Sequence, residues 1–380
     1  MTNQLSKAQR IVIKIGSSLL VNPDDGKLKR SWLESLAEDI VALKKRGQDV
    51  LIVSSGSIAL GRRQLKLQET VLKLEVSQAA AAVGQIRLAH AYQEVLAHHE
   101  ITTAQILLTS ADTEARRRYL NARSTITALL RLGAVPVINE NDTVTTEEIR
   151  FGDNDRLGAR VAEMISADYY VLLSDVAGLF TADPRNDSSA ELIHEVREIT
   201  PAIEALAGKA ASNDARGGMI TKVEAARIAV SAGCNVLIVD GTISHPLKAI
   251  EAGGQGTWFI PRANPQTARK LWIAGSLRPV GRIVVDDGAV SALQNGKSLL
   301  PAGVRMVDGN FQRGDSVIVC RQNGNEIGRG LIAYSSQDAR MIMGHKSREI
   351  ENLLGYRGRD EMIHRDDLAL TRDIDHSETR

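Results

Sequence analysis

Only two cysteines occur in the 380 residues, Cys234 and Cys320, each inside an apolar run that reads as a strand. Two thiols so placed furnish neither a disulfide framework nor a cysteine metal site, and a reducing, cytoplasmic setting is the expectation. An excess of charge of either sign is missing as well: the formal net charge is +1. That excludes a whole-chain attraction to nucleic acid or to an anionic membrane, so partners have to be argued locally. Long apolar runs are absent. The first, residues 11–21, contains Lys14, follows a polar segment, and is too short and wrongly flanked for a signal peptide or a membrane span. Aromatic residues make up 3% of the chain, and few of them fall between residues 278 and 360, where little is left with which to stack RNA bases. Familiar motifs are missing too. Gly296, Lys297 and Ser298 resemble the end of a Walker phosphate loop, but the position that must be glycine is Ser291. There is no nucleophile elbow, no HExxH zinc helix and no paired dinucleotide glycine fingerprint.

What remains is an ordinary soluble composition, 43% apolar and 24% charged, with length enough for two domains. Its most unusual stretch is residues 136–157, which concentrates short polar side chains between an apolar run and an apolar helix. Residues 134–138 read as a buried strand. Asn139, Glu140, Asn141 and Asp142 then fall at its carboxyl end, where open α/β sheets bind ligands. Asp153, Asn154 and Asp155 stand where a helix starts. One acidic side chain there is accounted for as a cap, worth about 0.5–2 kcal/mol. Three such residues after Phe151 and Gly152, with a second acidic and amide cluster upstream, point instead to a ligand site.

The rest of the chain alternates strands with helices. Residues 11–15 (Ile-Val-Ile-Lys-Ile) form a β-branched run interrupted by Lys14 and followed by Gly16, Ser17 and Ser18. A strand lysine on its own is commonly paired or snorkelling. A glycine turn directly after it adds backbone N–H groups that can cradle phosphate oxygens, with the lysine as a point charge beside them. Ser31 and Glu34 read as a capping box opening a helix that runs to about Arg46 and stops at Gly47. Residues 49–53 form the next strand, which leads through Ser54, Ser55, Gly56 and Ser57 into a helix over 58–65. Two strand–turn–helix units place two phosphate or carboxylate cradles at the same edge of a parallel sheet. A helix over 72–99 ends in His98 and His99, which point to different faces and suit a solvated helix end better than a metal pair. After a strand over 101–109, Arg116, Arg117, Arg118 and Arg123 lie on a helix reaching Arg131, as a solvated or interface face.

Beyond the polar stretch come a helix ending with residues 159–167, a strand over 169–173, and Ser174 and Asp175 at its carboxyl end. Asp183 and Pro184 mark a turn against which adenine or ribose could sit. Arg216, Gly217, Gly218 and Met219 open a helix over 220–232 with Lys222 in its first turn, where a cation opposes the helix dipole and calls for a compensating anion. Runs over 234–239 and 256–260 close the alternation, and 261–266 reads as a linker. From Pro279 onward short glycine-rich strands take over, at 281–285, 303–307, 315–320 and 326–333. The expected organisation is a domain over 1–265, a small β-rich domain over 278–360 and a charged tail over 361–380.

Several of these segments match a known pattern in content and order: residues 12–18, 53–56, 120–123, 137–142, 152–155 and 178–184, and Gly217, Gly218 and Met219 with Lys222. On them the chain resembles the glutamate 5-kinases of the amino acid kinase family across essentially its whole length, and the region after Pro279 resembles a PUA domain. The resemblance implies an α/β fold, a mainly parallel sheet sandwiched between helices, followed by a small β-rich PUA-like domain. It implies ATP with Mg²⁺, phosphorylation of L-glutamate to L-glutamyl 5-phosphate on the way to L-proline, and feedback inhibition by proline. A homo-oligomer and an association with glutamyl phosphate reductase belong to the same expectation; RNA binding through the PUA domain is not favoured.

Residue by residue, the resemblance has Lys14 and Lys222 bracket the transferred phosphoryl group while Asp155 holds both lysines. It assigns Ser55, Gly56, Asp142 and Asn154 to glutamate, with Asp153 supporting the amino group. Nucleotide falls to Lys14, Gly16, Ser17, Ser174, Asp175, Arg216, Gly217, Gly218, Met219 and Lys222, and no side chain is assigned as a direct metal ligand. Ser174 and Arg216 stand where the pattern has threonine, and Gly158, Ala159 and Arg160 replace a serine, alanine and apolar run. The chemistry agrees. A γ-carboxylate with a reference pKa of about 4.3 is already ionised at neutrality, so no general base is required, and none of the motifs contains histidine.

Two other readings compete. Another amino acid kinase, for aspartate or N-acetylglutamate, would use the same fold; but the C-terminal region lacks the regulatory pattern of aspartate kinases, and Asn141, Asp142, Asp153 and Asn154 favour a free amino group. An RNA-binding protein acting through the C-terminal domain is weakened by that domain's nearly balanced charge and scarce aromatics.

Overall fold

The computed structural model describes residues 5–67, 69, 71–145, 153–209, 218–275 and 278–371. It divides into two compact units, Met1–Pro265 and Gln266–Arg380. In the first, the apolar runs fold as strands whose alternate side chains enter two different cores. In chain order the unit runs β1 (Arg10–Ile15), α1 (Ser17–Leu20), α2 (Arg30–Lys45), β2 (Asp49–Ser54), α3 (Ser57–Gln64), α4 (Leu74–Ala97), β3 (Thr103–Leu108), α5 (Ser110–Glu114), α6 (Arg116–Arg131) and β4 (Val135–Glu140). It continues with α7 (Asp153–Met164), β5 (Tyr169–Ser174), β6 (Glu195–Val196), α8 (Pro201–Lys209), α9 (Gly218–Ser231), β7 (Asn235–Asp240), α10 (Pro246–Glu251) and β8 (Gly256–Phe259).

The sheet order is β3-β4-β2-β1-β5-β7-β8-β6. Neighbours pair parallel except β7 with β8, which are antiparallel. The sheet is therefore mainly parallel, and β1, β2, β4, β5 and β7 all end on one edge. Ile11, Ile13 and Ile15 enter a core shared with Trp32, Leu36 and Ile40 of α2 and Leu88 and Tyr92 of α4. Val12, on the opposite face, joins Val161 and Ala162 of α7 and Val223 and Ala226 of α9. Burying each large aliphatic side chain this way contributes about 1.5–3 kcal/mol, so period-two burial fixes which face every strand residue takes.

The helices α3 and α4 cross at backbone contact. A Cβ built on Gly61 would overlap the Ala80 carbonyl, and one on Gly84 would overlap the Ser57 carbonyl. Two facing glycines thus set how near α4 comes to the start of α3. Before α3, Gly56 sits at φ +111°, a left-handed conformation that calls for glycine.

The second unit holds α11 (Pro265–Gly275), β9 (Gly281–Val285), α12 (Asp287–Gln294), β10 (Val304–Gly309), β11 (Ser316–Arg321), β12 (Glu326–Leu331), α13 (Ser336–Ile342), α14 (Ile350–Leu354) and β13 (Leu368–Leu370). Its sheet runs β10-β9-β11-β12-β13 over its own core, built around Ile283, Phe311, Val319 and Ile363.

Three sequence expectations are corrected. The capping box at Ser31 does not form: α2 begins at Arg30 without a side-chain cap, and Glu34 instead takes an ion pair with Arg30 at 2.9 Å. The 261–266 linker is shorter, because Pro265 opens α11. That helix is tied into the second unit by an almost fully buried pair, Arg269 Nη2 to Asp367 Oδ1 at 2.7 Å, and by Arg329 donating to the Ala274 carbonyl at 2.9 Å. The stretch after 361 is not all tail. Met362 and Ile363 are fully buried and β13 pairs antiparallel with β12, so an apolar triplet among charged residues forms the outer strand of the sheet. Among the described residues no helix is long and apolar enough to cross a membrane.

Candidate active site

Lys14 is the penultimate residue of β1, in register with Val53 of β2 and Leu172 of β5. Period two puts it on the face of Val12, toward the helices α7 and α9. Each of these helices brings one partner. Lys14 Nζ lies 2.5 Å from Asp155 Oδ1, and Lys222 Nζ, from α9, lies 3.4 Å from Asp155 Oδ2. Thr221 Oγ1 donates to the same Oδ2 at 3.0 Å. The Lys14 side chain is 7% exposed and that of Asp155 1%, so the cluster is nearly dry.

Asp155 is held from behind as well. The hydroxyl of Tyr170, fully buried in β5, donates to its main-chain carbonyl at 2.8 Å. Burial pushes the Tyr170 phenol well above its ordinary pKa, so it remains a donor. A Cβ at position 158 would overlap that hydroxyl. Gly158 is therefore the complement of Tyr170, which accounts for one departure from the resembled pattern.

Burial alone would raise the Asp155 carboxyl, but the charges of Lys14 and Lys222 outweigh it and hold the group below the ordinary carboxylate range. For Lys14, burial is the largest influence and lowers the ammonium pKa; Asp155 raises it, Lys222 lowers it, and the net shift is downward. Lys14 and Lys222 thus share one buried carboxylate in a poorly hydrated cleft, with only a weaker pull on Lys14 from Asp175. Such an excess of positive charge is uncomfortable until a further anion arrives.

Gly16 lies at the mouth of this cluster with φ −71°, an extended conformation open to any residue. Its usefulness is the space it leaves: a Cβ there would stand 3.9 Å from Lys14 Nζ and 3.8 Å from Ser18 Oγ. Ser17 follows as the first residue of α1.

One residue before Asp155, the second cluster begins. Asn154 Nδ2 donates to Ser55 Oγ at 2.9 Å and to Asn139 Oδ1 at 3.0 Å. Asn139 Nδ2 donates to Gln85 Oε1 of α4 at 2.7 Å, and Ser57 Oγ donates to Asp142 Oδ2 at 3.2 Å. Asn139 and Asp142 are buried, at 1% and 7% exposure. The oxygen of Asn154 is buried without a hydrogen-bond partner among the described residues.

The structure thus gathers the expected residues into two adjoining groups, Lys14, Asp155 and Lys222 with Gly16 nearby, and Ser55, Asp142 and Asn154 after Gly56. Asp153 opens α7, and its side chain lies outside the described residues, as do Arg216 and Gly217. Ser174 ends β5, buried, with its hydroxyl donating to Asp175 Oδ1 at 3.2 Å. Gly218 opens α9, and Met219 packs against the core shared by α7 and α9. That start moves Lys222 past the first turn, and the anion its position calls for is Asp155. Asp183 accepts from the Arg185 backbone and guanidinium at 2.9–3.0 Å, which makes it the anchor of its own turn. Sequence reasoning passed over Thr221, Tyr170 and Gln85, and named Ser57 only as part of its turn; of the three passed over, only Thr221, beside Lys222, carried a signal. Among the described residues no group of three or more His, Cys, Asp or Glu side chains is placed to hold a metal ion.

Compared with known proteins, residues 9–240 match the amino acid kinase family and residues 281–354 match the PUA domain. The chain is 62% identical over 366 residues to a glutamate 5-kinase of Paramagnetospirillum magneticum, spanning 96% of this chain and 99% of that protein. It is 60% identical over 367 residues to a glutamate 5-kinase of Agrobacterium fabrum, spanning 97% and 94%. Among solved structures it is similar to a carbamate kinase from Giardia lamblia bound to AMP-PNP, with a TM-score of 0.49 at 17% identity, over 67% of this chain and 99% of that one.

Proposed function

The chain belongs to the amino acid kinase family, and within it to the glutamate 5-kinases, and on that premise we propose that it transfers the γ-phosphoryl group of ATP to the γ-carboxylate of L-glutamate, giving ADP and L-glutamyl 5-phosphate as the first step toward L-proline. The observation that carries this reading is the buried Asp155 between two lysines, directly after an amide whose oxygen has no partner among the described residues.

In this reading a γ-carboxylate oxygen attacks the γ-phosphorus, the bond from that phosphorus to the β,γ-bridging oxygen breaks, and ADP leaves with the electron pair. The nucleophile arrives ionised, so the protein has only to position the reactants and stabilise charge. Lys14 and Lys222 face the equatorial phosphoryl oxygens from opposite sides, and Asp155 keeps the two ammonium groups from separating. Gly16, Ser17 and the start of α9 at Gly218 and Met219 receive the phosphates, and Ser174 and Asp175 the rest of the nucleotide. When bound with the nucleotide, Mg²⁺ would neutralise charge on the phosphate oxygens, and no side chain among the described residues is assigned to hold it. Ser55, Asp142, Asn154 and Asp153 take the amino acid head group. The product is an acyl phosphate, prone to hydrolysis, so a reductase working close by is the natural consumer.

The test is ADP release with ATP, Mg²⁺ and each of glutamate, aspartate and N-acetylglutamate. Glutamate alone is expected to support turnover; equal or better turnover with either of the others overturns the assignment. Proline is expected to compete with glutamate for the pocket at Asp142 and Asn154, and inhibition indifferent to glutamate concentration would sink that overlap.

A pH dependence follows from the Lys14 environment. A lowered lysine pKa means that the proton is lost at lower pH than the ordinary value near 10.4, so kcat/KM should decline before that range is reached. Asp155, held low, stays ionised throughout. The stability signs are opposite: Asp155 stabilises the fold above the ordinary carboxylate pKa and loses this as pH falls through its depressed value, whereas the cost of burying charged Lys14 is full below its lowered value and is relieved as pH rises from there to the ordinary lysine value. A kcat/KM profile that stays level into the ordinary lysine range would remove Lys14 from the step that limits turnover.

A further inference from the structure

The hydrogen-bond network behind Asn154 has a fixed polarity, and its starting point is a backbone group. An N–H can only donate, so the atom of Asn139 that lies 2.8 Å from the Glu140 backbone N is its oxygen, Oδ1. The Asn139 nitrogen therefore points the other way, toward Gln85, which presents Oε1 at 2.7 Å. The Asn154 atom 3.0 Å from Asn139 Oδ1 must in turn be its nitrogen, which also donates to Ser55 Oγ at 2.9 Å. With Nδ2 spent in this way, Asn154 is left with its oxygen buried and without a partner among the described residues. A buried acceptor in that state is costly, and a ligand that brings a donor relieves the cost.

We propose that Gln85 is a specificity-determining positioning residue: by accepting from Asn139 Nδ2 it anchors the amide whose oxygen the Glu140 backbone N–H already holds, and together they lock the Asn154 amide with its oxygen toward the substrate, so that the pocket selects an amino acid with a free ammonium group. The inference rests on the reading that glutamate binds at Asn154. Gln85 reaches this place from α4 because Gly84, its neighbour, lets α4 approach the Ser57 carbonyl at backbone contact. The same face of α4 is held to the far side of the polar segment by Gln78, seven residues earlier, which donates to the Thr145 carbonyl at 2.9 Å. Ser57 completes the arrangement. It lies within 3.4 Å of Asn139 Nδ2, accepts there, and so turns its own hydrogen to Asp142. The pocket then offers two acceptors, the Asn154 oxygen and the Asp142 carboxylate. It also offers one donor, the Ser55 hydroxyl, whose oxygen is already taken by Asn154. Acceptors for an ammonium and a donor for a carboxylate are what an amino acid head group requires.

The experiment compares glutamate with glutarate, which keeps both carboxylates and lacks the ammonium, in the full-length chain. Wild type is assayed first, and absence of glutamate-dependent ADP release would overturn the functional reading itself. With that activity present, Gln85→Met, equal in length and unable to accept, is expected to raise glutamate KM about tenfold or more with kcat and ATP KM nearly unchanged, and to narrow the preference for glutamate over glutarate by a similar factor. Gln85→Glu, whose carboxylate still accepts from Asn139, should restore both. If Gln85→Met shows no cooperative melt, Gln85→Lys, which offers donors alone, is expected to give the same raised KM and narrowed preference. Unchanged glutamate KM and unchanged preference in a folded variant, or a Gln85→Glu variant as impaired as Gln85→Met, would overturn the role of Gln85 while leaving glutamate phosphorylation intact.

Discussion

Asp155→Asn is expected to lower kcat by on the order of 10³ and to destabilise the fold by about 3–5 kcal/mol, a double effect from one atom exchange. The substitution is nearly isosteric, so packing against Thr221 and Tyr170 survives while the charge is lost. Two ammonium groups would then share a cleft in which Asp155 is 1% and Lys14 7% exposed, with no carboxylate between them. Removing one member of a buried charge cluster leaves the others uncompensated, which is the costly case. Burial and Lys222 already lower the Lys14 pKa against the opposing pull of Asp155, and without that pull Lys14 should lose its proton at still lower pH. The variant should therefore combine a lowered melting temperature with an alkaline limb of activity moved toward neutrality. Glutamate KM, governed by the neighbouring amide cluster, should change much less. A variant with kcat within about tenfold of wild type would show that Asp155 neither orients the lysines nor keeps them charged.

Lys14→Ala and Lys222→Ala are each expected to lower kcat by on the order of 10² or more, with a smaller effect on glutamate KM, because their charge acts on the transition state. Their geometries differ, and so should their stabilities. Lys14 lies in the central strand at 2.5 Å from Asp155, whereas Lys222 is on a helix at 3.4 Å and is more exposed, at 13%. Loss of Lys14 therefore empties a core position and removes the nearer counter-charge, so its melt should fall further than that of Lys222→Ala. The double variant should lose less than the product of the single losses, since in the proposed mechanism both cations serve one phosphoryl group. Turnover at the wild-type rate in either single variant, with ATP, Mg²⁺ and glutamate saturating, would take that lysine out of the mechanism.

Much of the site was legible because its residues interrupt a pattern. Lys14 breaks an apolar run and is followed by glycine, and Asp153, Asn154 and Asp155 crowd a helix start where one cap would do. What could not be read has the opposite character. Gln85 is one polar residue on an alanine-rich helix, and its meaning comes from Asn139, 54 residues further on, together with the clearance left by Gly84. Tyr170 reads as one more apolar strand residue; its hydroxyl acquires a task only because Gly158 of another element makes room. The capping box at Ser31 failed because local sequence allowed it while Arg30 offered Glu34 a partner inside the helix. The strand Leu368–Leu370 was hidden among charged residues because three residues carry too little periodicity to stand out.

The place of β1 between β2 and β5 also orders events during synthesis of the chain. As the polypeptide emerges, β1 can pair with β2 almost at once, but its other edge waits for Tyr169 and the strand that follows, more than a hundred residues later. An apolar strand with one open edge is a template for pairing with the wrong chain, and a charge within it is a common natural safeguard. Lys14 interrupts an otherwise unbroken β-branched run on that waiting edge. Until Asp155 has been made, the cation has no partner to bury it and opposes stacking of one nascent copy on another. The charge proposed to face the phosphoryl group is thus also of the kind that guards an open strand edge against mispairing.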